Sequence, residues 1–219
     1  MLECRAKPDV SEPLMAETRG LGILRFFAAA AGGDIVCRHS LAVARHALTL
    51  AKALAVQEVE FLRDLKAGAL LHDIGKIGMP KRILKKRGPL TGLEREIIRE
   101  HPWQGYQLIS RLEYLREAGL IVLYHHERFD GLGYPFGLAR NAIPLAARIF
   151  SLVDALDAMT SDRPYRSGRS FQDARREIVR CRGTQFDPDV VDAFLSVPVL
   201  TWLTPPEKPW PVRGSPLIH

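Results

Sequence analysis

With 219 residues, 47% of them hydrophobic, and a mean hydropathy of −0.06, the chain can bury one core and fits a single soluble domain with extensions. A formal charge of +6 favours anionic partners without naming one, and no apolar run approaches the roughly 20 residues of a membrane-spanning helix. Three cysteines (Cys4, Cys37 and Cys181) without metal or disulfide spacing, and an N-terminus MLECRAKPDV lacking an apolar signal core, fit a reducing cytoplasm rather than a disulfide-stapled secreted scaffold.

Apolar periodicity predicts helices nearly throughout. Residues 20–31 and 38–56 carry apolar positions at helical spacing, and 58–73 repeats the pattern with Val59, Leu62, Leu65, Ala69 and Leu70. Thr91 and Glu94 form a capping-box signature for a helix running to His101, where Pro102 predicts a kink or a restart and a second helix through Leu112. Segments 115–126, 144–161, 170–182 and 187–196 are predicted helices, the last with Asp187 as N-cap and Pro188 in its first turn. No alternating strand pattern emerges. The final segment from Val197 holds six prolines and is expected to be extended.

The chemistry lies in residues that bind metals. His39, the pair His72 and Asp73, His101, the pair His125 and His126, and Asp154 are separated by 33, 28, 24 and 28 residues. Each gap accommodates one helix and its connection, so each group falls on a different helix of a bundle and can face inward. A lone histidine such as His39 is more often an ordinary hydrogen-bonded residue. The HDIGK segment follows an apolar run, however, and places an acid and an imidazole against a buried wall, where a cation is the natural partner. His46 and His219 have no such company and are read as an ordinary helix residue and a tail residue.

Five segments, HSLAV at His39, HDIGKIGMP at His72, REHPWQG around His101, HHERFDGLGYP at His125 and VDALDAMTSDRPYR at Val153, resemble the HD-GYP domain, a branch of the HD metal-dependent phosphohydrolases. The resemblance covers residues 34–196. It implies an all-α helical bundle with a metal site in its core, an HD-GYP domain over 34–197, an N-terminal helical extension over 1–33 and a Pro-rich tail over 198–219. It further implies hydrolysis of cyclic di-GMP to linear pGpG, and onward to GMP in some members, with two divalent ions, iron or manganese.

In the positions matching the family motif, His39, His72, Asp73, His101, His125, His126 and Asp154 are the metal ligands. Lys76 is the lysine of the HD motif, Asp157 a second acid that orients groups around the metals, Arg163 and Arg166 the phosphate-binding residues, and Tyr134 the tyrosine of the GYP loop. Elementary chemistry agrees. Asp73 can bridge two ions, whose paired charge generates hydroxide from a shared water for in-line attack on phosphorus. Two divalent ions against Asp73, Asp154 and hydroxide leave a centre of about +1, which attracts a phosphodiester. Lys76 can add positive charge in the transition state, and the two guanidiniums suit phosphate oxygens. The adjacent histidines can complete one metal's coordination provided that their helix ends there, since neighbours on a regular helix point about 100 degrees apart. Tyr134 then offers an aromatic face or a hydroxyl to a guanine-containing substrate.

The sequence departs from the family pattern in two places. Some members hold a third metal through a glutamate at the position of Ile35; here Asp34 lies one residue off, so a binuclear centre is expected. Arg140 replaces the usual glycine after GYP, so either the turn is rebuilt or Asn141 takes the left-handed conformation. The basic run KRILKKRG at Lys81 is read as a solvated loop. A diguanylate cyclase is a partner expected by analogy, and neither nucleic acid nor membrane is expected. The alternatives are a cyclic di-GMP receptor with weak turnover, or a phosphohydrolase acting on another cyclic dinucleotide or nucleotide.

Overall fold

The computed structural model describes residues 34–86, 88–162 and 167–203, with side chains from Arg38 onward. The helix expected over 20–31, the substrate-binding positions Arg163 and Arg166, and the chain beyond Leu203 lie outside these residues, as do the side chains of Asp34 and Ile35. The described chain is a helical bundle: α1 (Asp34–Ala53), α2 (Val59–Leu71), a 3₁₀ turn (Ile74–Gly78), α3 (Lys81–Leu84), α4 (Gly92–Arg99), α5 (His101–Ile109), α6 (Arg116–Tyr124), α7 (Leu145–Thr160), α8 (Phe171–Arg180), α9 (Pro188–Ser196) and α10 (Val199–Leu203). Among the described residues there is no strand, only the isolated bridges Asp130–Ala139 and Arg182–Phe186, and no helix is long and apolar enough to cross a membrane.

Helix α7 is the beam of the bundle. Its sequence LAARIFSLVDALDAMT is apolar on nearly every side, as a helix surrounded by others must be, and it packs against α1, α2, α6, α8 and α9. Phe150, Ile149, Leu152 and Val153 from α7 meet Val43, Leu50, Leu65, Phe186, Val190 and Phe194 in the main core. A smaller cluster of Leu71, Ile74, Ile109, Leu115, Ala118 and Val122 joins the 3₁₀ turn to α5 and α6. At the surface, α8 (FQDARREIVR) buries only Ala174 and Ile178, one turn apart on a single stripe.

Local signals set most boundaries. Thr91 Oγ1 accepts from the Glu94 amide while the Glu94 carboxylate accepts from the Thr91 amide, completing the capping box of α4. At Pro102 the chain restarts: α4 stops at Arg99, and α5 opens at His101 with the proline in its first turn. Asp187 caps α9 by accepting from the Asp189 amide. Two expectations are corrected. The helix expected to reach Leu112 stops at Ile109. The expected extended segment after Val197 instead contains α10, because Trp202 has a core site to fill against Phe194 and is only 4% exposed.

Candidate metal centre

Two helix ends deliver the paired ligands. Helix α2 stops at Leu71; His72 at its C-cap keeps helical dihedrals (φ −50, ψ −38), and the chain leaves the helical path at Asp73 (φ −94, ψ 10), which brings Asp73 Oδ2 to 3.4 Å from His72 Nε2. Helix α6 stops at Tyr124, with His125 as its C-cap, and the His125 and His126 rings lie 4.1 Å apart between centroids. The ending that adjacent ligands require is present at both places. The turn after Asp73 sits directly on α5, where a Cβ on Gly75 would lie 2.0 Å from the His101 carbonyl oxygen. Only glycine permits that approach.

The side chains form two groups. His39, His72 and Asp154 make one, His101, His125 and His126 the other, each with its ligand atoms within 4.8 Å of one another. Asp73 lies between them: its Oδ2 is 3.4 Å from His72 Nε2 and its Oδ1 3.3 Å from His101 Nε2. Lys76 Nζ donates to Asp73 Oδ2 at 2.6 Å. Asp157 accepts from His39 Nδ1 at 2.7 Å and from the Ser161 hydroxyl at 3.1 Å, while Asp154 Oδ1 lies 3.3 Å from His39 Nε2.

The donor set fits cations. His72, His101 and His125 each donate Nδ1–H to the backbone carbonyl three residues earlier (Ala69 at 2.9 Å, Ile98 at 2.7 Å, Val122 at 2.8 Å), and a carbonyl can only accept. With Nδ1 of each ring committed to a carbonyl, Nε2 is the nitrogen that faces the site, the arrangement by which outer partners orient metal-binding imidazoles. His101 Nε2 and His125 Nε2 stand 3.1 Å apart in a buried site, close enough to share a proton or to converge on one cation. Such a contact needs a positive centre close by.

Electrostatics separate the two groups. Burial pushes His126 down to about 3, with the neighbouring His101 ring adding to the effect, and burial likewise holds His125 well below the usual histidine range. Both imidazoles are thus neutral, the form a metal would need. Burial would also lower His39, but its bonds to Asp154 and Asp157 outweigh that and raise it to about 10. Burial opposes ionisation of Asp73 too, yet His72 and Lys76 hold its carboxyl well below the ordinary range, and His39 keeps Asp154 low in the same way.

Beside the centre is a cavity of about 260 Å³, whose wall includes His125, His126, Asp154, Arg99, Tyr134 and Gln185. The GYP loop forms one side. Tyr134 stacks on His126 (4.6 Å, 24° between planes), and the Arg99 guanidinium lies 5.1 Å over the tyrosine ring. The imidazole stacks on one face of Tyr134 and the Arg99 guanidinium also lies over this ring, so the aromatic surface is already engaged within the chain. A correction concerns Arg140, which itself takes the left-handed conformation (φ 53), not Asn141. Its amide donates to Phe129 O at 3.0 Å, and Asn141 Oδ1 accepts from Arg148, so the register of the loop fixes the strained residue.

Three contributors were not identified from sequence. Glu127, 3% exposed, accepts from the Phe136 amide at 2.8 Å and the Leu138 amide at 3.0 Å and so anchors the GYP loop from within. Its signal was its place directly after the paired histidines. Phe150 floors the site, its ring 4.9 Å from His72 and 5.8 Å from His125. Its position one helical turn before Asp154 was the available clue. Arg99 had only its position two residues before His101 to suggest a role.

The sequence matches the HD domain family over residues 25–190. It is 41% identical over 162 residues to a cyclic di-GMP phosphodiesterase of Thermotoga maritima, covering 73% of this chain and 44% of that protein. It is 43% identical over 148 residues to the cyclic di-GMP phosphodiesterase response regulator RpfG of Xanthomonas campestris, covering 67% and 39%. The chain thus spans about four-tenths of the length of these curated relatives. In fold it is similar to an HDG"Y"P protein from Bdellovibrio bacteriovorus, with a TM-score of 0.60 at 20% identity over 72% of this chain and 50% of that one. From the segments His72–Pro80 and His125–Pro135 at the centre of this geometry, and from a match across three quarters of its length, the chain belongs to the HD domain family and carries the HD-GYP signature.

Proposed function

We propose that this domain is a cytoplasmic, metal-dependent phosphodiesterase that opens cyclic di-GMP to linear pGpG, using two divalent ions, iron or manganese. The observation that carries this reading is Asp73, one oxygen 3.4 Å from a histidine of the first group and the other 3.3 Å from a histidine of the second. A carboxylate so placed suits two ions sharing one ligand. In this reading His39, His72 and Asp154 would hold one ion and His101, His125 and His126 the other, with Asp73 placed to serve either. Histidine and carboxylate donors suit iron and manganese, and the two relatives named above carry the activity in their names. Two bound divalent ions supply Lewis acidity at the phosphoryl oxygens and acidify a water at neutral pH.

The chain's own residues do the rest. Lys76, held on Asp73, keeps a positive charge beside the reacting phosphate. Asp157 fixes the ring of His39, and the carbonyls of Ala69, Ile98 and Val122 fix three more rings, so the donors need no rearrangement during reaction. Tyr134 secures His126 by stacking and directs its hydroxyl toward the substrate. Arg163 and Arg166 bind substrate phosphates.

The test is metal content and cyclic di-GMP turnover on one anaerobically purified sample beside Asp73→Ala. About two ions per chain with pGpG formed, both lost in the variant, supports the reading. Two ions with tight binding and no product would replace it with a receptor.

A further inference from the structure

Two guanidiniums line the cavity beside the metal centre, and they are engaged differently. Arg128 is occupied: its Nε and Nη2 donate to Asp130 at 3.0 and 2.6 Å, and its Nη1 lies 3.5 Å from Gln185 Oε1. Arg99 ends α4, is exposed, and has no carboxylate partner among the described residues. Among the described residues its guanidinium rests over the face of Tyr134, and that ring is itself fixed by stacking on His126. A guanidinium resting on an aromatic face keeps its N–H edge free. Arg99 is therefore a positive charge held one stacking layer out from His126, with donors available to the cavity.

The distance matters. A phosphate held between the two histidine groups meets Lys76 and the ions; one layer further out is where the next anionic group of a larger substrate would lie. We propose that Arg99 is a substrate-binding residue that grips a second phosphate, distinct from the one being cleaved. The proposal rests on the phosphodiesterase reading and adds a reason for preferring cyclic dinucleotides, which carry two phosphates, over simple phosphodiesters, which carry one. It also gives Tyr134 a second duty, as the platform that prevents a long flexible side chain from losing its geometry.

The experiment compares wild type, Arg99→Ala and Arg99→Lys on bis(p-nitrophenyl) phosphate, cyclic di-GMP and cyclic di-AMP, with metal content measured in each. The expected result for Arg99→Ala is a rise in KM of about 10- to 100-fold for both cyclic dinucleotides, with kcat changed less than about two-fold. Activity on bis(p-nitrophenyl) phosphate and metal content stay the same, and lysine restores part of the loss. A loss confined to cyclic di-GMP would overturn the proposal in favour of contact with the guanine edge. Equal loss on all three substrates together with lower metal content would overturn it in favour of a structural role through Tyr134 and His126. No change on any substrate would overturn it outright. If wild type cleaves bis(p-nitrophenyl) phosphate but neither cyclic dinucleotide, the phosphodiesterase reading fails by itself. The same comparison is then read from inhibition of that cleavage by the two dinucleotides, which Arg99→Ala must weaken.

Discussion

The two helix ends that deliver paired ligands solve one geometric problem in different ways. His72 and Asp73 are followed by a five-residue 3₁₀ turn whose backbone lies directly on α5, so position is set by main chain against main chain. His125 and His126 are followed by a long loop with a left-handed arginine, tied down by the carboxylate of Glu127 and by hydrogen bonds from Phe129 and Asp130 to the 184–185 segment. Backbone contact leaves no slack. A side-chain anchor can be adjusted one substitution at a time, so the first turn suits Asp73, which lies between the two histidine groups, and the second suits the wall of the cavity.

The sharpest way to break this comparison is Gly75→Ala. The added Cβ would come 2.0 Å from His101 O and 2.6 Å from Gly105 N, and neither backbone atom can yield. Denaturant unfolding should show a loss of about 4 kcal/mol or more, with metal uptake gone. A variant that folds and loads metal normally would refute the claim of main-chain control.

Glu127→Ala should act on the other turn alone. Two amides lose their acceptor, at about 1–3 kcal/mol each. Hydrogen exchange should accelerate at Phe136 and Leu138 while the amides of the 3₁₀ turn remain protected, and metal content should hold. Glu127→Gln, which keeps an acceptor oxygen for one amide, should fall between.

A control that touches neither turn is His46. Burial, reinforced by positive charge on Arg45, pushes its pKa down to about 4, and the Arg45 guanidinium lies 2.8 Å from its Nε2. Because the folded value lies below the ordinary 6.5, the unfolded chain binds the proton more tightly. The contribution is complete above about pH 6.5 and fades as pH falls toward 4, amounting to about 3 kcal/mol. His46→Gln should flatten the stability profile relative to wild type across that window. An unchanged profile would mean that the histidine is not held neutral.

The smallest expected effect is at Arg140. Glycine there removes the penalty for a left-handed side-chain-bearing residue, less its own entropy, for a gain of about 0.5–1 kcal/mol in thermal unfolding. Equal stability would show that the side chain compensates for the strain.

Much of the fold was legible, because helix starts announce themselves chemically: Thr91 with Glu94 and Asp187 with Pro188 predict their termini from hydrogen-bonding capacity alone. Helix ends were less so. Ile109 and α10 depend on what packs against them, and Trp202 is drawn into helix by a cavity that only the assembled bundle has. For the site, the clustering of the candidate ligands was legible because imidazoles and carboxylates spaced by one helix and a connection form a pattern. Their supports were not, since Phe150 reads like any core phenylalanine and Arg99 like any surface arginine. The left-handed residue was misplaced by one position because preference favours asparagine, whereas the hydrogen bond from Arg140 to Phe129 sets the register.

Phe150 has one further consequence. It is among the largest side chains in the molecule with no exposed surface, and its ring touches a histidine from each ligand group. Most positions in a hydrophobic core drift over evolutionary time, since leucine, methionine and isoleucine can exchange while volume is conserved. Phe150 has less of that freedom. A change that the rest of the bundle would absorb would alter the spacing between His72 and His125, so this position is expected to vary less among relatives than its apolar neighbours do.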